Sequence, residues 1–410
     1  MVHGSMGNIT RDRVLALVDQ GIFSGGNALL QVVLLHTLGL VHFGEYAFIM
    51  IFVMGLTALN QSLIVLPYQV LHANSDYNGT KVEITTLQIQ ALGIYFVLGV
   101  LFFLVNLVFD VISFSLLECS FFYGLVYVLH DFLRKRMFVE DKYHRLIFLD
   151  IGVIFSALGT ATVCWFTNYG IRFFLLVTAL GMLLTCIMFL GKVRIKLSNT
   201  STYKFHWDHS KWLAASTVAQ WFSGNIILST AGVILGPWVL GVVRMGQTIN
   251  GVLGVVFQLM ESYLPSKLSQ IYYQSGYSVF TKALVKIGFR AVMATVAIAA
   301  FLVFFRSDVL SLIFGSEGET YANIMFWFGA LLVVNVFNIM VRFYIRTLNM
   351  NRIIFESYII LALMSSLLAT YLVEDWGLHG VCFGLLANQV ISFFWFFIRS
   401  YFIGRPLKSS

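Results

Sequence analysis

The feature that most constrains this chain is a succession of apolar runs, each long enough to cross a bilayer. A spanning helix needs about 20 mainly apolar residues, because the hydrocarbon is about 30 Å thick and each helical residue rises about 1.5 Å. Twelve stretches meet that length, at 13–37, 42–68, 86–108, 111–132, 147–168, 171–191, 212–235, 238–262, 284–305, 321–345, 353–373 and 377–401. With 59% hydrophobic and 11% charged residues, the chain carries more apolar surface than a soluble core absorbs. The expected fold class is an all-α polytopic membrane protein of about 12 transmembrane helices.

The connections alternate in basic content, and this fixes an orientation by the positive-inside bias. One set carries Arg11 and Arg13, Lys81, the run Arg134, Lys135, Arg136 with Lys142 and Arg145, then Lys192 to Lys211, Lys267 and Lys282, Arg346 and Arg352, and Arg405 with Lys408. The opposite set holds Arg172 and Arg306 among Asp308, Glu317, Glu319, Glu374 and Asp375. Both termini are therefore expected in the cytoplasm. The net charge of +7 is this bias spread over short loops, and it does not indicate a nucleic-acid partner.

An internal repeat divides the chain. Phe23-Ser24-Gly25-Gly26-Asn27 is echoed by Phe222-Ser223-Gly224-Asn225, Leu38-Gly39 by Leu235-Gly236, Gly44 by Gly241, and Leu66-Pro67 by Leu264-Pro265, always at a spacing of 197 or 198 residues. Six helices per half give the copies the same orientation, so the repeat is parallel. The expected organisation is an N-terminal six-helix lobe over 1–196, a cytoplasmic linker over 197–211 and a C-terminal six-helix lobe over 212–410, with substrate between the lobes.

Polar residues inside spanning helices mark faces turned to protein or water. Gln20, Ser24, Asn27 and Gln31 recur at steps of four, three and four in the first span. Arg244, Gln247, Gly251, Gly254, Gln258 and Glu261 do so in the eighth, and Ser216, Gln220 and Ser223 in the seventh. Hydrated groove and interhelical hydrogen bonding both account for such stripes. Arg244 reads either as a groove-facing cation heading its stripe or as a snorkelling side chain. Arg342, in line with Asn335 and Asn338, lies nearer the cytoplasmic end. Asp19 and Glu261 are candidate proton or sodium sites, with partly solvated interface acids as the other reading. Glu118, His130, Asp131 and Asp150 read as structural partners of the basic loop from Arg134 to Arg145.

Cys119, Cys164, Cys186 and Cys382 stand in apolar runs without metal-ligand spacing. No phosphate-cradling glycine loop, nucleophile elbow or His-Glu-x-x-His pattern occurs. No catalytic residue, metal or cofactor is expected, and the chain reads as a non-enzyme.

The spans, the six-plus-six repeat, the loop Phe132-Leu133-Arg134-Lys135-Arg136 and the helix exits at Leu66-Pro67 and Leu264-Pro265 resemble the polysaccharide transporter branch of the multidrug/oligosaccharidyl-lipid/polysaccharide flippase superfamily. The resemblance implies an O-antigen or similar repeat-unit flippase of a bacterial inner membrane, working by alternating access on a polyprenyl-diphosphate-linked oligosaccharide. It also implies membrane lipids and other polysaccharide assembly proteins as partners. Arg244 would meet the diphosphate, with Gln20, Asn27, Gln31, Gln220, Gln247 and Arg342 lining the substrate path and Asp19 and Glu261 serving ion coupling. A cation-coupled multidrug exporter of the same fold is the alternative, and a membrane glycan polymerase or ligase a further one.

Overall fold

In the hydrocarbon no water is available to backbone N–H and C=O groups, so an apolar chain of this kind closes its hydrogen bonds within helices. The structure, a computed structural model, describes residues 5–71, 81–109, 114–191, 200–348, 350 and 352–404. Every regular element among them is helical. We label the helices α1 (5–38), α2 (40–71), α3 (Lys81–Phe109), α4 (Phe114–Val139), α5 (Tyr143–Thr167), α6 (Ile171–Leu190), α7 (Thr200–Ile234), α8 (237–275), α9 (277–304), α10 (Arg306–Thr320), α11 (Ile324–Thr347), α12 (352–376) and α13 (378–404). All but the short α10 are long enough to span a bilayer, which makes six before the middle of the chain and six after it. The protein is an all-α polytopic membrane protein.

The repeat is written in backbone geometry. Gly39 joins α1 to α2 with φ 75° and ψ 170°, and Gly236 joins α7 to α8 with φ 91° and ψ 171°. Positive φ with ψ near 170° is open to glycine and to almost nothing else, because a Cβ would strike the neighbouring carbonyl. Asn27 Nδ2 donates to Phe23 O at 2.9 Å, and Asn225 Nδ2 donates to Trp221 O at 3.1 Å, one turn back in each case. The two halves thus repeat a side-chain bond as well as a turn.

Several elements exceed their expected bounds. The run Arg134 to Arg136, read as cytoplasmic loop, lies inside α4, which continues to Val139. The stretch 263–283 is also helical, with α8 and α9 meeting at Gly276. Neither proline ends a helix. Pro67 follows a single wide π turn, Gln61–Val65, which makes room for a ring that would otherwise press on the carbonyl four residues back. Pro265 is carried within α8.

Two compact units emerge: residues Met1–His42 with Ile49–Val218, and Phe43–Phe48 with Ala219–Ser410. In the first, α5 and α6 meet through small residues. A Cβ on Gly181 would strike the Ser156 side chain, and one on Gly152 would strike Thr185. Close approach of this kind is how helices gain contact where lipid removes the hydrophobic drive to associate. In the second, Leu264 and Leu268 of α8, Phe280 of α9 and Ile339, Met340 and Phe343 of α11 form one core cluster.

Candidate functional site

Four ionisable side chains converge inside the first unit. Asp19, Gln20 and Phe23 share one stretch of α1, His130 and Arg134 lie one turn apart on α4, and Asp150 comes from α5. Arg134 is the hub. Its Nη2 donates to Asp19 Oδ2 at 2.9 Å and to Gln20 Oε1 at 3.3 Å, and its Nε donates to Asp150 Oδ2 at 2.7 Å. Its guanidinium carbon stands 4.0 Å from the centre of the Phe23 ring. His130 Nε2 is 3.1 Å from Asp150 Oδ1.

Burial sets the energetics. Asp19 is 1% exposed, Asp150 0% and His130 1%, while the Arg134 side chain retains 15%. An ion withdrawn from water costs several kcal/mol even after relaxation, so such a cluster persists only when the charges compensate one another. Arg134 supplies one positive charge against two carboxylates near enough to repel. With a neutral imidazole the four groups sum to −1, and one added proton brings them to zero. Two polar atoms are left over: Asp19 Oδ1 and His130 Nδ1 are buried with no hydrogen-bond partner among the described residues. The arrangement can therefore take up one proton without further change in composition.

Beside this network lies a cavity of about 360 Å³, a volume that includes space open to its surroundings. It is lined by Phe23, Gly26, Asn27 and Leu30 of α1, Tyr123, Tyr127 and His130 of α4, Val153, Ile154 and Ala157 of α5, and Met182 of α6. His130 belongs to both: one edge of its ring holds Asp150 and its ring also faces the cavity, with Phe23 stacked at 6.2 Å and Tyr127 edge-on at 6.1 Å. The walls are aromatic and aliphatic with a few polar groups, and the free space between them holds little more than a water molecule.

Along the polar stripe of α1, Gln20 Nε2 donates to Ser24 Oγ at 3.1 Å. Gln20 belongs to the network, Asn27 to the cavity wall, and Gln31 is buried. The reading of Asp19 as a partly solvated interface acid is overturned by its burial against Arg134. Asp131 and Asp150 do partner basic residues, Lys135 at 2.9 Å and Arg134 at 2.7 Å. Glu118 does not join them. It is exposed near the opposite end of α4, sixteen residues or about 24 Å along the helix from Arg134.

In the second unit Arg244 is half-buried on α8 and its Nη1 lies 3.4 Å from Gln247 Oε1. Gln220 is exposed on α7, and its carbonyl accepts from Ser223 Oγ at 2.8 Å. Arg342 is half-buried one turn beyond Asn338, whose Nδ2 donates to both Gln389 O and Gln389 Oε1 at 2.9 Å. The side chains of Gln258 and Glu261 lie outside the described residues.

His130 and Asp150 read in the sequence as partners of the basic stretch from Arg134; what sequence reading missed is that Asp19 of α1 joins them on Arg134 in one internal cluster. The available signal was the four-residue spacing of His130 and Arg134, which puts an imidazole and a guanidinium on one helical face.

No protein-family model and no curated protein sequence matches the chain. Solved structures do. The chain is similar to the inward-facing conformation of a multidrug resistance MATE family transporter of the MOP superfamily, at 16% identity over 96% of each chain with a TM-score of 0.63. It is similar to an outward-facing conformation of such a transporter, at 16% identity over 95% of each chain and a TM-score of 0.58. A MOP superfamily transporter from Pyrococcus furiosus, described by a reversed polarity of its binding pocket, matches at 15% identity over 95% of each chain with a TM-score of 0.57. The fold of this chain is that of the MOP superfamily transporters.

Proposed function

We propose that the chain is an alternating-access transporter that flips a polyprenyl-diphosphate-linked oligosaccharide repeat unit from the cytoplasmic to the outer leaflet of a bacterial inner membrane. Both termini face the cytoplasm, and the protein serves surface polysaccharide assembly. Glycan and diphosphate cannot enter hydrocarbon unaided, whereas the polyprenyl tail stays in lipid while the head crosses. Carriage past a polar path, with no bond made or broken, is the step such a chain performs.

The observation that carries this reading is the commitment of the buried acids. Asp19 and Asp150, both fully buried in the first unit, are held by Arg134. An organic cation needs a carboxylate to meet it, and each of these already has Arg134 as its cationic partner. The polar faces are set instead with amides, from Gln20, Asn27, Gln31 and Gln247, and with Arg244, groups suited to hydroxyls and phosphate. The network of Asp19, Arg134, Asp150 and His130 serves ion coupling, and its net charge of −1 is balanced by one proton or one sodium ion. Glu261 is a second coupling candidate from α8.

Likeness to multidrug resistance transporters favours a second reading, cation-coupled drug export. One experiment separates them. Vesicles containing the purified protein are loaded on one side with a lipid-linked oligosaccharide or with a fluorescent organic cation, and appearance on the other side is followed under a proton gradient. Translocation of the glycan lipid without the cation supports the flippase. Translocation of the cation alone overturns it.

A further inference from the structure

The helix α9 divides cleanly into two faces. Phe280, Leu284, Ile287, Gly288, Ala291, Thr295, Ala299 and Leu302 turn inward, several of them against the core shared with α8 and α11. The other face carries Lys282, Lys286 and Arg290, all exposed and spaced by four residues, so that they form one row. Among them stand Val279, Val285, Phe289 and Met293, with Val285 69% and Phe289 66% exposed. Large aliphatic and aromatic side chains this exposed on a spanning helix suit a face turned to acyl chains.

Depth follows from length. The 277–304 helix is about 42 Å long, more than the hydrocarbon alone requires. Counting about 20 residues back from Phe304 places the hydrocarbon boundary near residue 285. Lys282 then stands at headgroup level, Lys286 at the boundary, and Arg290 about one turn inside. None of the three has a hydrogen bond or ion pair with any other described residue. A general positive-inside bias does not require three cations to share one face, nor one of them to lie below the boundary. A phosphate seated between the first two, with Arg290 reaching up to it, satisfies all three.

We propose that this face of α9 is a binding site for the headgroup of an anionic phospholipid in the leaflet on the Gly276 side. The phosphate is held by Lys282, Lys286 and Arg290, and the acyl chains lie along Val285, Phe289 and Met293. Arginine suits the deepest position, because its guanidinium stays charged where solvation is poor and offers several donors to one phosphate. The site lies wholly on α9 and stands independently of the substrate proposed above.

The test uses the full-length protein with a bimane label on V285C, in vesicles of phosphatidylcholine. The native cysteines Cys119, Cys164, Cys186 and Cys382 are buried, which directs the label to position 285. Quenching is measured with phosphatidylglycerol or phosphatidylcholine carrying brominated chains. Phosphatidylglycerol is expected to bind at this position about tenfold more tightly than phosphatidylcholine, in keeping with the pull of a few basic residues at an anionic headgroup. K282Q/K286Q/R290Q should bring the ratio close to one, and K282R/K286R/R290K should retain it. If the triple glutamine variant also loses quenching by phosphatidylcholine, it is misplaced in the bilayer; K286Q and R290Q alone then serve, each expected to lower the ratio about threefold. A ratio near one in the parent, or a ratio unchanged by the glutamine variants, overturns the site. Displacement of lipid by inorganic phosphate, beyond the effect of chloride at equal ionic strength, overturns the assignment to lipid.

Discussion

At the scale of single residues the chain's chemistry turns on Arg134. Its removal leaves Asp19 and Asp150 without their shared cation in a buried site, with one imidazole on Asp150. R134A is expected to lower stability by about 3–5 kcal/mol, the usual cost of breaking a buried ion pair from one side. Thermal unfolding of the detergent-purified protein measures this, and adding D19N to R134A should recover part of the loss because it deletes the uncompensated charge. An R134A protein that melts with the parent would show that the cluster contributes nothing. A substitution at His130 tests a different property. H130Q keeps a donor toward Asp150 but cannot carry a proton, so the fold should persist while the dependence of transport on pH flattens. An unchanged pH profile would remove His130 from coupling. Arg244 is the third case. A guanidinium can hold a diphosphate through two bonds and a lysine through a point charge, so activity at equal protein level should fall in the order Arg, Lys, Ala. Loss of the charge-assisted contact corresponds to about 1.5–3 kcal/mol. Full transport by R244A would leave the arginine with no more than a snorkelling role.

At the scale of elements the glycine turns carry the sharpest expectation. Gly39 and Gly236 hold the same strained backbone at equivalent places, so G39A and G236A should each cost about 1–3 kcal/mol. Equal losses in thermal unfolding are expected from both, whereas a loss at one position only would mean that the turns are not equivalent. These turns were legible because a glycine after leucine recurs at a fixed spacing. The ends of α4 and α8 were not, and the reason is physical. A cluster of Arg and Lys after an apolar run reads as a loop, since charge ordinarily leaves the helix for water. Here α4 carries its cations onward as helix because each finds a partner: Lys135 bonds Asp131 and Gln61, and Arg136 bonds Thr85, Glu140 and the Leu190 carbonyl. Likewise a proline after an apolar run reads as an exit, while at Pro67 a π turn that no periodicity announces lets the helix pass through it.

At the scale of the whole molecule, the all-helical membrane fold and the number of spanning-length helices could be read in advance, because hydrocarbon thickness sets helix length. The candidate site could only half be read. Gln20, Asn27 and Asp19 declare themselves by standing in one apolar helix, but the partners that give Asp19 its role come from α4 and α5, more than 100 residues away in the chain. Helical periodicity reports which residues share a helix face and says nothing of which helices meet. Orientation is the remaining property of the whole molecule, and the loop charges predict it. A basic loop resists translocation while an acidic one does not, so the connection bearing Lys142 and the segment bearing Lys204 belong to the cytoplasm and Asp308 to the outside. Single cysteines placed at these positions report the outcome directly, because the four native cysteines are buried. In intact cells an impermeant thiol reagent should label D308C and spare K142C and K204C until the membrane is opened. Labelling of K142C or K204C from outside would invert or break the alternation. It would also move the Asp19, Arg134, Asp150 and His130 network to the outer side, where a proton gradient would load it from the opposite direction.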